Sequence, residues 1–450
     1  MSKPRLLPLY FDPGRDSDFD EKMRAIQTLL ADDVEFLAPV ALGAPMPDSD
    51  AVVFPQMLGE AYRRLADFKK IDRPILIVTS DFGTLSMWDW EIARYLREEG
   101  VETIAPTSLE QTKLICRALK VKRDLRGAKF LAYQDNPGEG MQAPIFKRFY
   151  WWEAECSQRI FDQFGVTVEH RSISELGERA KQISDARADE AWQERKASVP
   201  CDSAICGKPI RNAMKLYLAL RDDVESMGGS ARRGGPVVAI GTNCLNESRF
   251  CDTTPCLAWS LLYEEEGLYW GCEGDTTTML TMSLLQPVLR APIMMTNLYP
   301  YLLGQAALKH EKILDFPPVP SHFDDHILLV HCGYFGLFPK SFASRWKLCE
   351  RVLEIVDPEA TAVDSEYPLG PVTLAKIGPT MKMFSVSEGE LVQYTQFPGS
   401  DSRNGGVVHV ENGRRFVDRL VSHHYLLMTG AHGADIALTA RVLGLDVENI

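Results

Sequence analysis

Residues 236–285 carry the pattern that decides the fold, and their sequence is PVVAIGTNCLNESRFCDTTPCLAWSLLYEEEGLYWGCEGDTTTMLTMSLL. The apolar, β-branched run at 236–240 predicts a buried strand that ends in a Gly-Thr-Asn turn. Residues 256–265 predict a helix, and Gly267 is placed to end it. Residues 268–272 predict a second short apolar strand. A strand, a helix and a second strand in this order predict a parallel β-α-β unit.

Acidic residues follow both of these predicted strands. Glu247 lies in the loop after the first strand, and Glu273 and Asp275 come directly after the second. The carboxyl ends of parallel strands are where ligands bind in α/β sheets. A carboxylate is costly to bury without a partner, so two solvated acidic loops are the alternative interpretation. Together with Asn243, at the end of the first strand, these acidic residues are the candidates for a functional site.

Strands and helices alternate through the first half of the chain, with the most apolar strand, PILIVTS, at 74–80. Alternation with helices of about 10 to 15 residues predicts an α/β fold with two Rossmann-like, doubly wound domains. From residue 361 onward the pattern changes to short strands between Gly and Pro turns, which predicts an antiparallel sheet or barrel. The predicted domains are an N-terminal α/β domain at 1–125, a second α/β domain at 126–290 and a C-terminal β domain at 291–450.

Length, charge and composition exclude several classes of function. With 450 residues the chain can bury large cores, and its net charge of −13 with dispersed Lys and Arg argues against a nucleic-acid partner. No stretch approaches the roughly 18 apolar residues of a membrane span, and the first residues lack a signal peptide's apolar core. A cytoplasmic location without membrane contact is therefore expected. The ten cysteines lack the spacing of a zinc site and are expected to be reduced and packed.

Two histidine motifs occur farther along the chain. His331-Cys332-Gly333 follows an apolar strand, and His423-His424 lies between apolar residues that predict another strand. Adjacent histidines in an apolar strand are costly to bury without partners, which favours a site, although a satisfied core pair is the alternative. Cys332 is interpreted as a packed thiol, whereas His331 could hydrogen-bond a substrate hydroxyl.

Taken in order, the acidic loops, the His-Cys-Gly motif and the histidine pair resemble the C-terminal half of the L-fucose isomerase and L-arabinose isomerase superfamily. The resemblance covers residues 236–450, and the first half of the chain shares only general α/β character with the family. It implies an aldose–ketose isomerase that acts through an enediolate on a free pentose or hexose such as L-fucose, L-arabinose or D-arabinose. It also implies Mn²⁺ or another divalent cation as the cofactor, and a homo-oligomer, either a trimer or a hexamer.

The resemblance assigns metal-binding roles to the acidic residues. Glu247 matches the family's first acidic ligand and is the candidate base. The second ligand matches either Asp275, as in the fucose isomerase branch, or Glu273, as in the arabinose isomerase branch; Asp275 is also the candidate partner acid. The imidazole comes from the histidine pair, and its position in the motif favours His424. Two carboxylates with one imidazole suit Mn²⁺ better than Zn²⁺.

The same resemblance leaves His423, His331 and Asn243 as the substrate-binding candidates, with His423 either facing the substrate or supporting a metal ligand from behind. The sequence departs from the family's patterns at two positions. Position 290 is Arg where arabinose isomerases have an additional histidine, and Asn297 stands where fucose isomerase-like chains tend to carry an acidic residue. The three-ligand pattern of the fucose isomerases is therefore the better match.

Other functions stay open at the level of sequence. A lyase, or another sugar or sugar-acid enzyme on the same scaffold, would bind metal but form no ketose. A non-catalytic sugar-binding protein would show neither metal nor turnover. Arg249 and Arg290 could accommodate an anionic group, although solvated arginines are commoner. The aromatic run from Tyr150 to Trp152 lies on a helix predicted over 147–164 and is interpreted as core or interface.

Overall fold

The computed structural model describes residues 3–11, 15–55, 59–79, 87–135, 149–201, 205, 207–243, 251–301, 323–330, 340–341, 343–350, 361–396 and 404–450. The chain forms two compact units. The first comprises Met1–Leu125, Pro287–Leu289 and Asp435–Asp446, and the second comprises Arg126–Gln286, Arg290–Ala434 and Val447–Ile450. No helix in the described part of the chain is long and apolar enough to cross a membrane.

Helices account for much of the described chain. In chain order they are α1 (Ser17–Leu29), α2 (Leu65–Phe68), α3 (Met87–Glu98), α4 (Leu109–Asp124), α5 (Ala154–Phe164), α6 (Ile173–Gln182), α7 (Asp185–Arg195), α8 (Lys208–Ser226), α9 (Cys256–Glu266), α10 (Thr276–Leu289), α11 (Gly413–Arg419) and α12 (Gly433–Leu443). Short polar side chains begin several of them, because their oxygens accept from backbone N–H groups of the first turn. Such caps are Asp16, Ser108, Ser172 and Ser184.

The first unit is built on a parallel sheet. Its strands are β1 (Arg5–Tyr10), β2 (Glu35–Phe36), β3 (Val40–Ala41), β4 (Ala51–Phe54), β5 (Ile75–Ile77) and β6 (Thr103–Ile104). They are ordered β2-β1-β4-β5-β6, and β3 also pairs with β1. The strands β4 and β5 are buried along their whole length, as is typical of parallel strands with apolar side chains on both faces.

The second unit contains another parallel sheet, which carries part of the candidate site. Its strands are β7 (Lys129–Tyr133), β8 (Thr167–Arg171), β9 (Val237–Thr242) and β10 (Tyr269–Cys272). They are ordered β10-β9-β7-β8. The register places the last residues of β10, β9 and β7 side by side, so these strands end along one common edge.

A closed antiparallel barrel of six strands follows in the same unit. Its strands are β11 (Ile293–Pro300), β12 (His326–Val330), β15 (Gly370–Ile377), β16 (Met383–Gln396), β17 (Asn404–Val410) and β18 (His424–Thr429). Their order β15-β18-β11-β12-β17-β16 closes because β15 also pairs with β16. Closure removes the exposed edges that an open sheet would have. The strands β13 (Arg345–Glu350) and β14 (Thr361–Glu366) form a separate antiparallel pair, and β19 (Asp446–Asn449) pairs with β16.

This mixed α/β architecture with a C-terminal antiparallel barrel confirms the predicted fold class at that level. The segment that decides the fold forms β9, α9 and β10, and Gly267 ends α9 in the left-handed conformation, as predicted. The second parallel sheet and the barrel belong to one compact unit. The division into three domains at 1–125, 126–290 and 291–450 stays a prediction. All the described cysteines except Cys201 are buried.

Two predicted elements were wrong in their extent. The helix predicted over 147–164 begins only at Ala154, because a 3₁₀ turn at Tyr150–Trp152 precedes it. Among the short strands predicted after residue 361, the structure instead has one long strand, β16, over Met383–Gln396. A register shift between Leu391 and Gln393 lets this strand bend while its pairing continues.

Two glycines bring α10 close to the second parallel sheet. A Cβ atom at Gly271 would lie 2.5 Å from the carbonyl oxygen of Asp275, and one at Gly241 would lie 2.1 Å from Cε of Met279. Close-packed interiors leave no room for such an atom. The backbone N–H of Asp275 also donates to the carbonyl of Cys272 at 2.9 Å. The first turn of α10 is therefore held against the end of β10, and this contact places the acidic turn.

Candidate metal centre

Four of the predicted site residues come together in the second unit. Glu273 and Asp275 lie in the turn between β10 and α10, and His423 and His424 lie at the beginning of β18. Glu273, Asp275 and His424 are buried, although two of them are carboxylates. A buried carboxylate requires charged or hydrogen-bonding partners. Those partners determine the charge of each residue and which of its atoms can bind a ligand.

The turn that carries Glu273 has an unfavourable backbone conformation. Glu273 is left-handed, with φ of 54°, which costs a non-glycine residue about 1–2 kcal/mol. Such a conformation persists only where surrounding contacts hold it. The indole N–H groups of Trp151 and Trp152 both donate to the carbonyl oxygen of Glu273, at 3.2 and 2.7 Å. The two tryptophans therefore fix the turn that directs the Glu273 side chain.

Replacing Trp152 by phenylalanine tests this role, since phenylalanine keeps an aromatic ring but removes the donor. We expect the free energy of unfolding to fall by about 1 kcal/mol. We also expect about tenfold weaker Mn²⁺ binding, as is typical of residues that hold a ligand in place. Chemical denaturation and Mn²⁺ titration measure the two effects. Trp192→Phe, in α7, is the control and is expected to change neither; equal Mn²⁺ affinity in Trp152→Phe and wild type would mean that Trp151 alone fixes the turn.

Asp275 is fully buried at the start of α10, and its carboxylate is surrounded by donors. It accepts from the backbone N–H of Thr278 at 2.8 Å and from the hydroxyls of Thr277 and Thr278 at 2.6 and 2.9 Å. The ammonium of Lys376 donates to it at 2.7 Å. Burial alone would raise the pKa of Asp275, but the Lys376 ammonium and the His424 imidazole hold it well below its usual range. Asp275 is therefore ionised, with both oxygens hydrogen-bonded.

Lys376 extends this network from the barrel. It lies on β15 with only 1% of its surface exposed, and it also hydrogen-bonds the Thr278 hydroxyl. Burial lowers the pKa of Lys376, and the Asp275 carboxylate opposes that fall. A buried charge pair of this kind is strongly destabilised when one partner is removed. The pair therefore ties the barrel strand to the acidic turn.

His424 is oriented by Asp275. Its Nδ1 lies 2.9 Å from Oδ2 of Asp275, and because that carboxylate is ionised, Nδ1 carries the proton and donates. Nε2 is then the nitrogen with a free electron pair, and it lies 3.6 Å from Oε2 of Glu273. Trp151 stacks on the ring at a centroid distance of 5.2 Å. A carboxylate that fixes the tautomer and direction of an imidazole is the usual support behind a metal-binding histidine.

His423 lies beside this pair. Its Nε2 is 4.0 Å from Oε2 of Glu273, and its ring centroid is 4.1 Å from that of His424. The rings of Phe149 and Trp151 pack against it at 5.6 and 5.8 Å. His423 is only half-buried, and this partial burial together with the neighbouring His424 imidazole lowers its pKa below the usual range. His423 is therefore neutral near pH 7, which is the form in which imidazole binds metals.

The three residues Glu273, His423 and His424 form the donor group. Each offers one ligand atom, and these atoms all lie within 4.8 Å of one another. A carboxylate with two imidazoles suits first-row divalent metals, manganese among them. Among the described residues in contact with this group, the carboxylates of Glu273 and Asp275 face the single ammonium of Lys376. By its geometry and chemistry the donor group could therefore hold a metal ion.

The donor group differs in part from the predicted ligand set. Glu273 and His424 are common to both. His423 was predicted to face the substrate or to support a metal ligand from behind, and the structure places its imidazole with the other donors. Asp275 lies behind His424, with its oxygens hydrogen-bonded. Glu247, the predicted first ligand and base, lies outside the described residues.

The other predicted residues have varied positions. Asn243 is buried directly after β9, beside the end of β10 that leads to Glu273. His331, with the rest of its motif, lies outside the described residues, as does Arg249. Arg290 is exposed at the far end of α10, and the 14 residues of this helix separate it from Asp275 by about 21 Å. An anionic group bound beside the acidic turn would therefore not reach Arg290.

Residues that sequence reasoning missed complete the site. Trp151 and Trp152 were interpreted as core or interface, yet they donate to the turn of Glu273. Lys376 was not considered at all, although a single lysine in the otherwise uncharged strand GPVTLAKI is a signal of a buried charge pair.

Comparisons with known proteins leave this site to be interpreted from its own geometry. Neither the protein-family models nor the curated proteins that were compared with the chain gave a match. The similarity to fucose and arabinose isomerases therefore stays a prediction from the motifs.

Proposed function

We propose that the protein is a metal-dependent aldose–ketose isomerase that acts on a free pentose or hexose such as L-fucose, L-arabinose or D-arabinose. The observation that carries the proposal is the convergence of Glu273, His423 and His424 at the carboxyl end of β10, with Asp275 behind His424. This is the position in a parallel sheet where ligands bind. The order of the motifs, which resembles the fucose and arabinose isomerase superfamily, supports the same function.

Within this proposal the donor group holds the cofactor, which we take to be Mn²⁺. A divalent ion supplies Lewis-acid polarisation of the sugar carbonyl and stabilises the charge that develops when the neighbouring carbon loses its proton. Glu273 and the two histidines supply the ligand atoms, and Asp275 keeps Nε2 of His424 free of protons. Glu247 stays the candidate base, while Asp275 takes a positioning role because donors surround its carboxylate.

The proposal extends to the architecture and the assembly. Two Rossmann-like, doubly wound sheets are supported by the strand orders β2-β1-β4-β5-β6 and β10-β9-β7-β8. In each sheet the first strand of at least five residues, β1 or β7, lies between strands that come later in the chain, as in doubly wound folds. A cytoplasmic homo-oligomer, a trimer or hexamer, is proposed from the resemblance alone.

An assay with Mn²⁺-loaded protein tests the proposal. L-fucose, L-arabinose and D-arabinose are incubated with the protein in D₂O, and ketose formation and deuterium at C1 of the ketose are followed by NMR. We expect a ketose from at least one of them, and we expect Glu273→Gln to lower the rate at least about 100-fold. A cleavage or dehydration product without ketose would instead indicate a lyase. Sugar binding with neither metal nor product would indicate a binding protein.

A further inference from the structure

Two carboxamides near the donor group, one on the half-buried Gln134 and one on the buried Asn297, have a buried oxygen that accepts no hydrogen bond from the described residues. They are Oε1 of Gln134, which directly follows β7, and Oδ1 of Asn297 in β11. A buried amide oxygen without a donor destabilises the folded protein, so each such atom calls for a donor from outside the described residues. Both oxygens therefore indicate a ligand that brings hydrogen-bond donors.

Asn297 lies next to the histidine pair. In the antiparallel pairing of β11 with β18, Asn297 is directly opposite His424. Directly opposed residues share a face of the sheet, with Cβ atoms about 4.5–5.5 Å apart. Asn297 is 3% exposed, so its carboxamide is enclosed beside the imidazole of His424. It is therefore within reach of a ligand bound at the donor group.

Gln134 lies farther along the edge of the second parallel sheet. The strands β10, β9 and β7 end side by side at Cys272, Thr242 and Tyr133. The residues that follow them form a row that begins with Glu273 and ends with Gln134. Neighbouring strands are about 4.8 Å apart, so the backbone of Gln134 is about 10 Å from that of Glu273.

This spacing matches an open-chain sugar. Successive carbons are about 1.5 Å apart, so an extended chain of five or six carbons covers roughly 5–6 Å between its ends. A hydrogen bond from the last hydroxyl adds about 2.8 Å. A chain of five or six carbons whose first two carbons lie at the donor group therefore covers most of this distance with its far hydroxyl, and a four-carbon chain covers about 1–3 Å less.

The charges along this edge favour hydroxyl groups over an anion. Lys376 is paired with Asp275, and Arg171 and Arg179 both face Asp223. The cations that the structure describes here thus already have carboxylate partners. A hydroxyl both donates and accepts, so it satisfies a carboxamide in either orientation.

We propose that Gln134 and Asn297 determine which sugars are accepted. Asn297 binds a hydroxyl close to the reacting carbons, and Gln134 binds the hydroxyl at the far end of a five- or six-carbon chain. The assignment rests on the proposed function, because it takes the donor group as the place of the first two carbons.

Alditols, the reduced open-chain sugars, are the probes for this assignment. Calorimetry with Mn²⁺-loaded protein compares erythritol, with four carbons, to L-arabinitol and galactitol, with five and six. We expect wild type to bind the two longer alditols at least about tenfold more tightly than erythritol. Gln134→Leu is expected to remove this preference for length, and Asn297→Leu to weaken binding of all three alditols by about tenfold.

Stability and metal content separate a substrate-binding role from a structural one. Leucine replaces each carboxamide by an apolar group of similar size, so we expect the same or a higher melting temperature and unchanged Mn²⁺ content. Gln158→Leu, on the exposed face of α5, is the control and is expected to leave alditol binding unchanged. Methionine variants are measured in place of any leucine variant that does not fold.

The outcomes distinguish this inference from the function on which it rests. If wild type binds alditols and both variants keep the same affinities and the same length preference, the roles assigned to Gln134 and Asn297 are wrong. The proposed function is not affected by that result. If wild type holds Mn²⁺ but neither binds an alditol nor isomerises a sugar, the proposed function is wrong. This inference then fails with it.

Discussion

Replacing His424 by alanine is expected to lower the affinity of the protein for Mn²⁺ at least about 100-fold, a larger loss than residues that merely orient a ligand produce. The substitution removes Nε2, which faces Oε2 of Glu273 at 3.6 Å. It also removes the imidazole that Asp275 holds at 2.9 Å. Metal content after loading and dialysis, together with a Mn²⁺ titration, measures the loss.

Glu273→Gln is the companion variant, because it keeps the shape of the side chain and removes its charge. We expect a loss of metal similar to that in His424→Ala. His170→Ala is the matched control, since His170 is exposed and hydrogen-bonds Ser157. Circular dichroism and thermal unfolding establish that each variant is folded. Undiminished Mn²⁺ in both site variants would mean that the donor group is not the metal site, and Glu247 would be the next residue to test.

The local pattern was sufficient to predict the elements around the acidic turn. Continuous apolar runs bounded by Gly, Asn and acidic residues predict buried parallel strands, and β9 and β10 form where the pattern places them. Asp275 followed by threonines is a strong helix start, and α10 begins there. The carboxylates could therefore be placed after a strand end without knowledge of the fold.

Contacts between distant segments could not be predicted in the same way. Asp275 and His424 are 149 residues apart, and they meet because β18 pairs with β11 in the barrel. Periodicity identifies strands but not their partners. For the same reason the sequence left both Glu273 and Asp275 as candidates for the second ligand, with Asp275 matching the better-fitting fucose isomerase pattern. Which of the two can bind a metal depends on Lys376 and His424, two residues of the barrel that hydrogen-bond the Asp275 carboxylate.

The tryptophans were missed for a different reason. Trp151 and Trp152 are buried, as an aromatic run predicts, so their pattern matches that of ordinary core residues. Their function depends on the indole N–H groups, which meet a carbonyl exposed by the left-handed turn at Glu273. A sequence pattern does not indicate the direction of a single N–H bond. Buried tryptophans therefore need their hydrogen-bond partners identified before they are assigned to the core.

Lys376 completes a continuous path from the barrel to the donor group. Its ammonium holds the charge of Asp275, Asp275 holds the proton on Nδ1 of His424, and Nε2 is left directed at Glu273. The first two steps are hydrogen bonds to the ionised Asp275 carboxylate inside a buried site, where such bonds are stronger than in water. A change at Lys376 is therefore expected to alter both stability and metal binding, although Lys376 is not itself a ligand.

Replacing Lys376 by methionine is expected to destabilise the protein by about 3–5 kcal/mol, because it leaves the Asp275 carboxylate buried without its cation. Mn²⁺ affinity is expected to fall about 10- to 100-fold, since His424 loses a firmly held carboxylate. Chemical denaturation and Mn²⁺ titration measure the two losses separately. Lys382→Met, on the exposed turn after β15, is the control and is expected to change neither.

The double variant Lys376→Met with Asp275→Asn decides between a structural and a positioning role. Removing both charges relieves the unpaired carboxylate, so much of the lost stability is expected to return. Metal affinity is not expected to return, because a neutral carboxamide holds the His424 imidazole more weakly than a carboxylate does. Recovery of both properties in the double variant would show that the pair only stabilises the barrel, and that the direction of Nε2 is set by the packing of Trp151 instead.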